Sequence, residues 1–73
     1  MHEFKLIIED SNTEIIYNAL KIESAPNANV DISFDNGKLI LFIKAEKISN
    51  LRAAINSFMR WIEMTRKIAE GKS

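Results

Sequence analysis

Few side chains in this 73-residue chain have the type and spacing that catalysis or metal binding requires. The single histidine, His2, has no cysteine to join it in a zinc site. A cluster of carboxylates at Glu9, Asp10 and Glu14 could bind a cation or exchange protons. A helix start explains these acids better, because negative charge there complements the helix dipole. With no glycine-rich phosphate loop and no nucleophile beside a base, the sequence predicts a protein that is not an enzyme and has no cofactor or metal.

One row of polar side chains is better suited to binding. Arg52, Asn56 and Arg60 follow one another at intervals of four, so they align on one side of a helix. Lys67 extends the row. Guanidinium groups can form paired hydrogen bonds with phosphates, which makes this row a candidate contact for RNA or for a partner. The alternative is a solvated face on which Glu63 neutralises one arginine.

Composition limits the kinds of partner. Ten basic and ten acidic residues cancel, whereas a nucleic-acid binder that acts alone usually has a basic excess. The hydrophobic fraction of 47% is typical of a globular domain. A single core in so short a chain supplies only about 3–5 kcal/mol of stability. Because the chain has no cysteine for a disulfide, we expect a partner to add stability.

The apolar segments are too short for membrane insertion. The longest uninterrupted run is Leu39–Ile43, whereas a membrane-spanning helix needs about 20 apolar residues. The first residues carry charges and a strand pattern in place of the apolar stretch of a signal peptide. We therefore expect a cytoplasmic protein with a single domain, residues 1–73.

The first two elements precede Pro26. Alternation over residues 2–10 predicts a half-buried strand. A helix follows, with its start marked by a capping-box pattern from Ser11 to Glu14 and its end near residues 21–23, because Pro26 cannot continue it. Its buried stripe is expected to consist of four apolar residues: Ile15, Ile16, Ala19 and Leu20.

Residues 29–45 have the pattern of a β-hairpin. The turn is Asn36–Gly37, a pair that favours the positive φ angles of a two-residue hairpin turn. Counting outwards from the turn gives four pairs, of which the last three are apolar and share one face: Asp35 with Lys38, Phe34 with Leu39, Ile32 with Leu41, and Val30 with Ile43. A slip of one residue would destroy this match, so the register is well determined.

The last helix is predicted to run from about Asn50 to Glu70, with Ser49 as its N-cap. At 100° per residue it has three sides. The side that should face the core is apolar: Leu51, Ile55, Phe58, Ile62 and Ala69. The second side carries the row from Arg52 to Arg60. The third side, called the Trp61 flank below, comprises Ala53, Ser57, Trp61, Met64 and Ile68.

The order strand, helix, strand, strand, helix predicts an α+β fold. A right-handed crossover brings the second strand parallel to the first. The third strand is apolar on both faces, as a central strand often is, and fits between them. The result is a three-stranded antiparallel sheet of order 1-3-2, with both helices on the face that carries Phe4, Phe34 and Leu41.

Two apolar surfaces then remain without a partner. The outer face of the sheet bears Ile7, Ile40 and Phe42 inside a polar rim, which is typical of an interface. Two identical sheets could pack there back to back around a two-fold axis, although scattered apolar surface residues are also normal. The Trp61 flank either docks a partner helix or packs against the first helix near Tyr17.

Part of the chain resembles a known family. Residues 51–62, Leu-Arg-Ala-Ala-Ile-Asn-Ser-Phe-Met-Arg-Trp-Ile, strongly resemble the signature of the Pcc family, the small subunit of the KEOPS complex. Residues 16–21, Ile-Tyr-Asn-Ala-Leu-Lys, and the hairpin are similar to that family too, so the resemblance covers almost the whole chain. The most specific part is the pattern Arg52…Asn56-Ser57…Arg60. Ile22 departs from it, because relatives often have proline after the first helix.

The resemblance implies a function and a set of partners. KEOPS installs threonylcarbamoyl on the tRNA adenosine beside the anticodon, and its Kae-family catalytic subunit uses a metal and a carbamoyl-adenylate donor. Pcc proteins are not catalytic; they form homodimers, dock a catalytic subunit through their helices and help to hold tRNA. On this basis three surfaces receive roles. Docking is assigned to the Trp61 flank with Tyr17, self-association to Ile7, Ile40 and Phe42, and RNA or partner contact to Arg52, Asn56, Arg60 and Lys67.

Other functions compete with this interpretation. A stand-alone RNA-binding module could have a similar α+β shape. KH domains, however, need a Gly-x-x-Gly loop, and RNA-recognition motifs need stacking aromatics on the sheet. Gly37 has no glycine three residues away, and only Phe42 is a candidate aromatic on the outer sheet face. A transcription-associated factor and an oligomerising protein without an RNA role are the remaining alternatives.

Overall fold

The computed structural model describes residues 1–71. Its five elements are β1 (His2–Glu9), α1 (Thr13–Leu20), β2 (Asn29–Asp35), β3 (Lys38–Ala45) and α2 (Ile48–Ala69). The strands form one antiparallel sheet in the order β1-β3-β2. Helix α1 packs on β2 and β3, and α2 packs on β3 and β1. The predicted α+β fold, element order and strand order are confirmed.

The hairpin turn has the backbone that its sequence favours. Asn36 has a φ of 52° and Gly37 a φ of 77°, and both are positive, as a two-residue hairpin turn of this kind requires. The register from this turn is as predicted, with the pairs Asp35–Lys38, Phe34–Leu39, Ile32–Leu41 and Val30–Ile43. The turn therefore fixes which face of β2 and β3 meets the helices.

The core lies between the sheet and the two helices. Phe58 of α2 and Ile16 of α1 have no exposed surface, and they meet the buried residues of the central strand: Leu39, Leu41 and Ile43. Each such side chain stabilises the fold by about 1.5–3 kcal/mol relative to an exposed one. The buried stripe of α2 is shifted from the predicted one, because Ala54 is buried and Ile55 is only half-buried. The stripe therefore follows the spacing Leu51, Ala54, Phe58 and Ile62.

The buried stripe of α1 is narrower than predicted. Ile15 is 52% exposed and does not belong to the core. A two-turn helix presents a single line to the sheet, and Ile15 is turned about 100° from Ile16. Thr13 is buried in its place, and its Oγ1 donates a hydrogen bond of 2.8 Å to the carbonyl oxygen of Gly37. This bond ties the start of α1 to the hairpin turn.

Both predicted helix caps are wrong. Asn12 occupies the N-cap position of α1, without a side-chain cap bond, so Ser11 and Glu14 do not form a capping box. Helix α2 begins at Ile48, two residues before its predicted start, so Ser49 lies inside the first turn. The cause is Lys47, whose carbonyl oxygen already accepts the N–H groups of two residues of that turn: Asn50 and Leu51.

A carboxylate joins the loop after β1 to the end of α2. The carboxylate of Asp10 accepts the backbone N–H of Asn12 at 3.1 Å, and the hydroxyl of Ser11 donates to it at 3.3 Å. Its second oxygen lies 3.1 Å from Nε of Arg66. The N–H of Asn12 is the main cause that lowers the pKa of Asp10; Arg66 and Ser11 add to it, and burial opposes it.

This arrangement predicts a loss of stability in acid. A carboxyl whose pKa is lowered by folding stabilises the fold above its unfolded pKa of about 3.9, and that contribution is lost as the pH falls through the folded pKa. Asp10→Asn should therefore flatten the decline in unfolding free energy below a pH of about 4, as measured by urea titration across pH. Parallel acid profiles for Asp10→Asn and the parent would contradict the prediction.

Candidate interaction surfaces

Residues 1–71 contain no group of three or more histidine, cysteine or carboxylate side chains that could hold a metal. An open polar cavity of about 720 Å³ lies at the start of α2, with Asn29, Lys44 and Asn50 in its lining, unlike the enclosed apolar pockets of most small-molecule sites. Within residues 1–71, no helix is long and apolar enough to cross a membrane. The candidate sites are therefore the exposed faces.

The outer face of the sheet brings its three predicted apolar residues together. Ile7 of β1 and Ile40 of β3 are direct cross-strand partners, and Ile7 is more than half exposed. Phe42 follows on the same face of β3, since side chains two positions apart point the same way. We call Ile7, Ile40 and Phe42 the sheet patch. The three apolar residues therefore adjoin one another on this face, and their role in self-association stays a prediction.

Charged groups surround the sheet patch. Nζ of Lys44 lies 5.1 Å from the centroid of the Phe42 ring, within the range of a cation–π contact. At the other end of the face, Nζ of Lys38 lies 3.3 Å from the carboxylate of Glu9. Both side chains of that ion pair are mostly exposed, so it contributes only about 0–1 kcal/mol. An apolar centre with a polar rim has the composition of a protein interface.

The polar row occupies the exposed side of α2. Arg52, Asn56, Arg60 and Lys67 are all exposed, whereas the buried stripe of the helix faces the sheet. Eight residues of helix separate Arg52 from Arg60 by about 12 Å. The salt bridges within residues 1–71 are Lys38–Glu9 and Arg66–Asp10. Glu63 therefore does not pair with either arginine of the row, and both guanidinium groups remain available for an anionic partner.

The Trp61 flank lies on the side of α2 that faces α1. Arg66 bonds to Asp10, which directly follows β1, so the Arg66 side of α2 lies towards β1. Trp61 precedes Arg66 by five residues and points about 140° away around the helix axis. That direction leads to α1, which packs beside α2 on the β2 side of the sheet. The ring of Trp61 meets Phe58 edge-on, with centroids 5.0 Å apart, and is only half-buried.

The rest of the Trp61 flank is accessible. Met64 is 54% exposed and Ile68 is 75% exposed, Ala53 is exposed, and Ser57 is half-buried. Helix α1 starts three residues after Asp10, whose bond to Arg66 brings it to the last turns of α2. Ile15 of α1 is another exposed apolar side chain of the helix layer. The apolar character of Ile15 alone favours a core position. The signal against that assignment is the shortness of α1, which presents a single line of residues to the sheet.

Tyr17 occupies a different part of the surface. Its ring packs against Phe34 of β2, with centroids 5.9 Å apart, and Nζ of Lys21 lies 5.9 Å from its centroid. Phe34 was predicted to be covered by the helices, but it stays partly exposed because β2 is an edge strand and α1 is short. Tyr17 and Trp61 pack on different aromatic partners, and their grouping in one docking site stays a prediction.

A comparison with known families adds an independent observation. The model of a family described as transcription factor Pcc1 matches residues 2–70 of the chain. The match spans all five elements and the three surfaces described above. A search of the curated proteins finds no match.

Proposed function

Because the chain belongs to the Pcc1 family, we propose that it is the non-catalytic, dimerising subunit of a KEOPS complex. In this proposal two copies associate through the sheet patch, and each docks a Kae-family catalytic subunit through the Trp61 flank. The row from Arg52 to Arg60 contributes to holding tRNA. The assembly would install threonylcarbamoyl on the adenosine beside the anticodon.

One observation carries the proposal: exposed apolar side chains lie on both layers of the fold. Ile7 represents the sheet layer, and Met64 and Ile68 represent the helix layer. The sheet and the helices cover each other on their inner sides, so these residues lie on opposite outer surfaces. A subunit that joins a copy of itself to a second kind of protein needs two such surfaces, whereas a protein with a single partner needs one.

The charges support a shared rather than an independent RNA role. With zero net charge, the isolated chain has no overall attraction for a polyanion. The row nevertheless presents two arginines without carboxylate partners within the described chain. A homodimer would present two such rows, and the catalytic subunits beside them could supply further contacts. Affinity for tRNA is therefore expected to emerge on assembly.

Charge reversal on the row tests this role. The double variant Arg52→Glu/Arg60→Glu should weaken tRNA binding by the assembled complex at least about tenfold. Each phosphate contact releases counterions from the RNA, and the variant loses the binding free energy that this release supplies. The measurement is a tRNA titration of the purified complex at fixed salt. Single variants should lie between the parent and the double variant. Unchanged affinity in a complex that still assembles would refute the RNA role.

A matched control separates local contact from total charge. Lys21→Glu changes the net charge by as much as Arg60→Glu but lies at the end of α1, beside Tyr17. It should leave tRNA affinity within about twofold of the parent, since exposed charges more than a Debye length of about 10 Å away are screened. An equal loss for Lys21→Glu and Arg60→Glu would indicate a general charge effect.

The family description favours a second candidate, a transcription factor. Such a protein would bind duplex DNA, and the absence of a basic excess counts against it. The same titration, made with the isolated chain and either duplex DNA or tRNA at physiological salt, distinguishes the candidates. Tight binding to DNA would favour the transcription role, and tight binding to tRNA a stand-alone RNA-binding module. Weak binding to both would favour the subunit of a larger assembly.

A further inference from the structure

The charges beside Phe42 are distributed asymmetrically across the outer sheet face. Lys5 of β1 is the register partner of Phe42 on one side, and Asp31 of β2 is its partner on the other. Since neighbouring strands lie about 4.8 Å apart, one cation and one anion flank the apolar centre at equal distances. Both side chains are exposed, and neither takes part in a salt bridge within residues 1–71.

A two-fold axis parallel to β3 would make this pattern complementary to itself. Rotation about that axis places β1 of one copy over β2 of the other, because the two edge strands exchange sides. Lys5 then faces the partner's Asp31, and Asp31 faces the partner's Lys5. Ile40 and Phe42 lie on the central strand, so each would meet its own copy across the interface.

An axis that runs across the strands between Ile40 and Phe42 would give a poorer match. Each edge strand would then lie over its own copy in the opposite direction. With the axis between Ile40 and Phe42, Ile7 would face the partner's Lys5, which buries an ammonium group against an aliphatic side chain. Glu9 would face the partner's Glu3, and Lys38 would face the partner's Lys44. With the axis in this position, no pair of opposite charges forms. With the axis at Ile7 and Ile40, Lys5 would face the partner's Glu9, but that carboxylate already pairs with Lys38 of its own chain.

We propose that a second copy of this chain covers the sheet patch with its two-fold axis parallel to β3, and that two Lys5–Asp31 pairs select this orientation. The inference rests on the homodimer of the proposed function and specifies how its two sheets are aligned. Face-to-face sheets pack about 10 Å apart with strand directions within about 30°. A lysine and an aspartate that point towards each other can bridge this gap at the edge of the apolar centre.

The same orientation brings some like charges together, but only at the ends of the face. Glu9 would face the partner's Asp35, and Lys38 and Lys44 would each face their own copies. Glu9 is already bonded to Lys38, and Lys44 lies against the Phe42 ring. Charges at a solvated rim are screened more strongly than charges beside a desolvated centre. The pairs next to Phe42 therefore dominate the choice of orientation.

Reversal of each charge provides the test. Lys5→Glu would set two carboxylates against each other at both Lys5–Asp31 positions of the dimer, and Asp31→Lys would set two ammonium groups against each other there. Each variant alone should dissociate as a homodimer at least about tenfold more readily than the parent, because like charges across an interface are costly. In an equimolar mixture of the two single variants, the heterodimer sets a carboxylate against an ammonium group at both positions and has no like-charge position. The single variants test whether these positions face each other at all.

The exchange variant gives the decisive comparison. Lys5→Glu/Asp31→Lys swaps both charges within one chain, so both opposite-charge pairs return in its homodimer with their signs reversed. It should recover the homodimer affinity of the parent, whereas each single variant should not. Lys21→Glu lies on α1 and is the control, which should leave the homodimer unchanged. Light scattering and native mass spectrometry of the full chain measure these species, and circular dichroism checks that each variant is folded.

The outcomes separate the orientation from the homodimer itself. A dimeric parent whose single variants stay equally dimeric would overturn the orientation and leave the homodimer in place. Single variants that weaken the dimer, with an exchange variant that fails to recover it, would also overturn the orientation. A parent that is monomeric at micromolar concentration would overturn the homodimer of the proposed function. Recovery by the exchange variant after loss in both single variants is the result that the inference requires.

Discussion

Phe58→Ala should leave most of the chain unfolded at 25 °C. Phe58 has no exposed surface and supports the ring of Trp61 at 5.0 Å. Truncation of a buried phenylalanine to alanine costs about 3–5 kcal/mol. A single core in a chain of this size supplies about 3–5 kcal/mol in total, so the loss is comparable with the whole stability. A urea titration followed by circular dichroism at fixed protein concentration should show little or no folded baseline.

The neighbouring methionine provides the control for this experiment. Met59 is 41% exposed and lies outside the buried stripe of α2. Met59→Ala should change the unfolding free energy by only about 0.5 kcal/mol, as is usual for surface positions. Similar losses for Met59→Ala and Phe58→Ala would contradict the assignment of the core stripe. The comparison therefore tests the orientation of α2 as well as the size of the core.

The other large effect concerns docking of the catalytic subunit. Trp61→Glu should abolish co-purification with a Kae-family catalytic subunit, because it places a charge in the centre of the proposed interface. Trp61 also packs on Phe58, so part of its effect could come from the core. Ile68→Glu and Met64→Glu avoid this ambiguity, since both side chains are mostly exposed. Each should weaken docking by about 30-fold, the loss expected at an interface position worth about 2 kcal/mol.

Met59→Glu is the matched control for the docking experiment. It introduces the same charge on the same helix, about 140° around the axis from Met64. It should leave co-purification unchanged. Loss of binding with Met59→Glu, together with normal binding for Met64→Glu and Ile68→Glu, would place the docking surface on the opposite side of α2. A pull-down with a tagged catalytic subunit, checked for folding by circular dichroism, measures all of these variants.

Strand pairing was predictable because its determinants are local. The Asn36–Gly37 turn sets the hairpin register through two residues, and the three apolar pairs next to it agree with that register. The start of α1 was not predictable for the opposite reason. Thr13 is fixed by Gly37, and Asp10 by Arg66, and both partners are distant along the chain. The local capping pattern at Ser11 could not include these contacts, whereas the cap at Ser49 is displaced by the nearby carbonyl oxygen of Lys47.

The candidate surfaces show the same difference between local and distant determinants. Periodicity within one element places the arginine row on the exposed side of α2 and the sheet patch on the outer face. The grouping of Tyr17 with Trp61 depended on how two helices sit relative to each other, which periodicity does not contain. Tyr17 packs on Phe34, and Ile15 is exposed on α1. A docking experiment should therefore treat Tyr17 separately from the Trp61 flank.

The central position of β3 has a consequence for folding. Its five consecutive apolar residues, Leu39–Ile43, form a segment of the kind that promotes aggregation while its edges are open. The hairpin closes one edge locally, but β1 can close the other only after a long loop has formed, which is slower. Lys38 and Lys44 bracket the segment as gatekeepers. Lys38 contributes little to the stability of the folded protein through its ion pair with Glu9. During folding, its charge opposes aggregation of this segment with other copies of the chain.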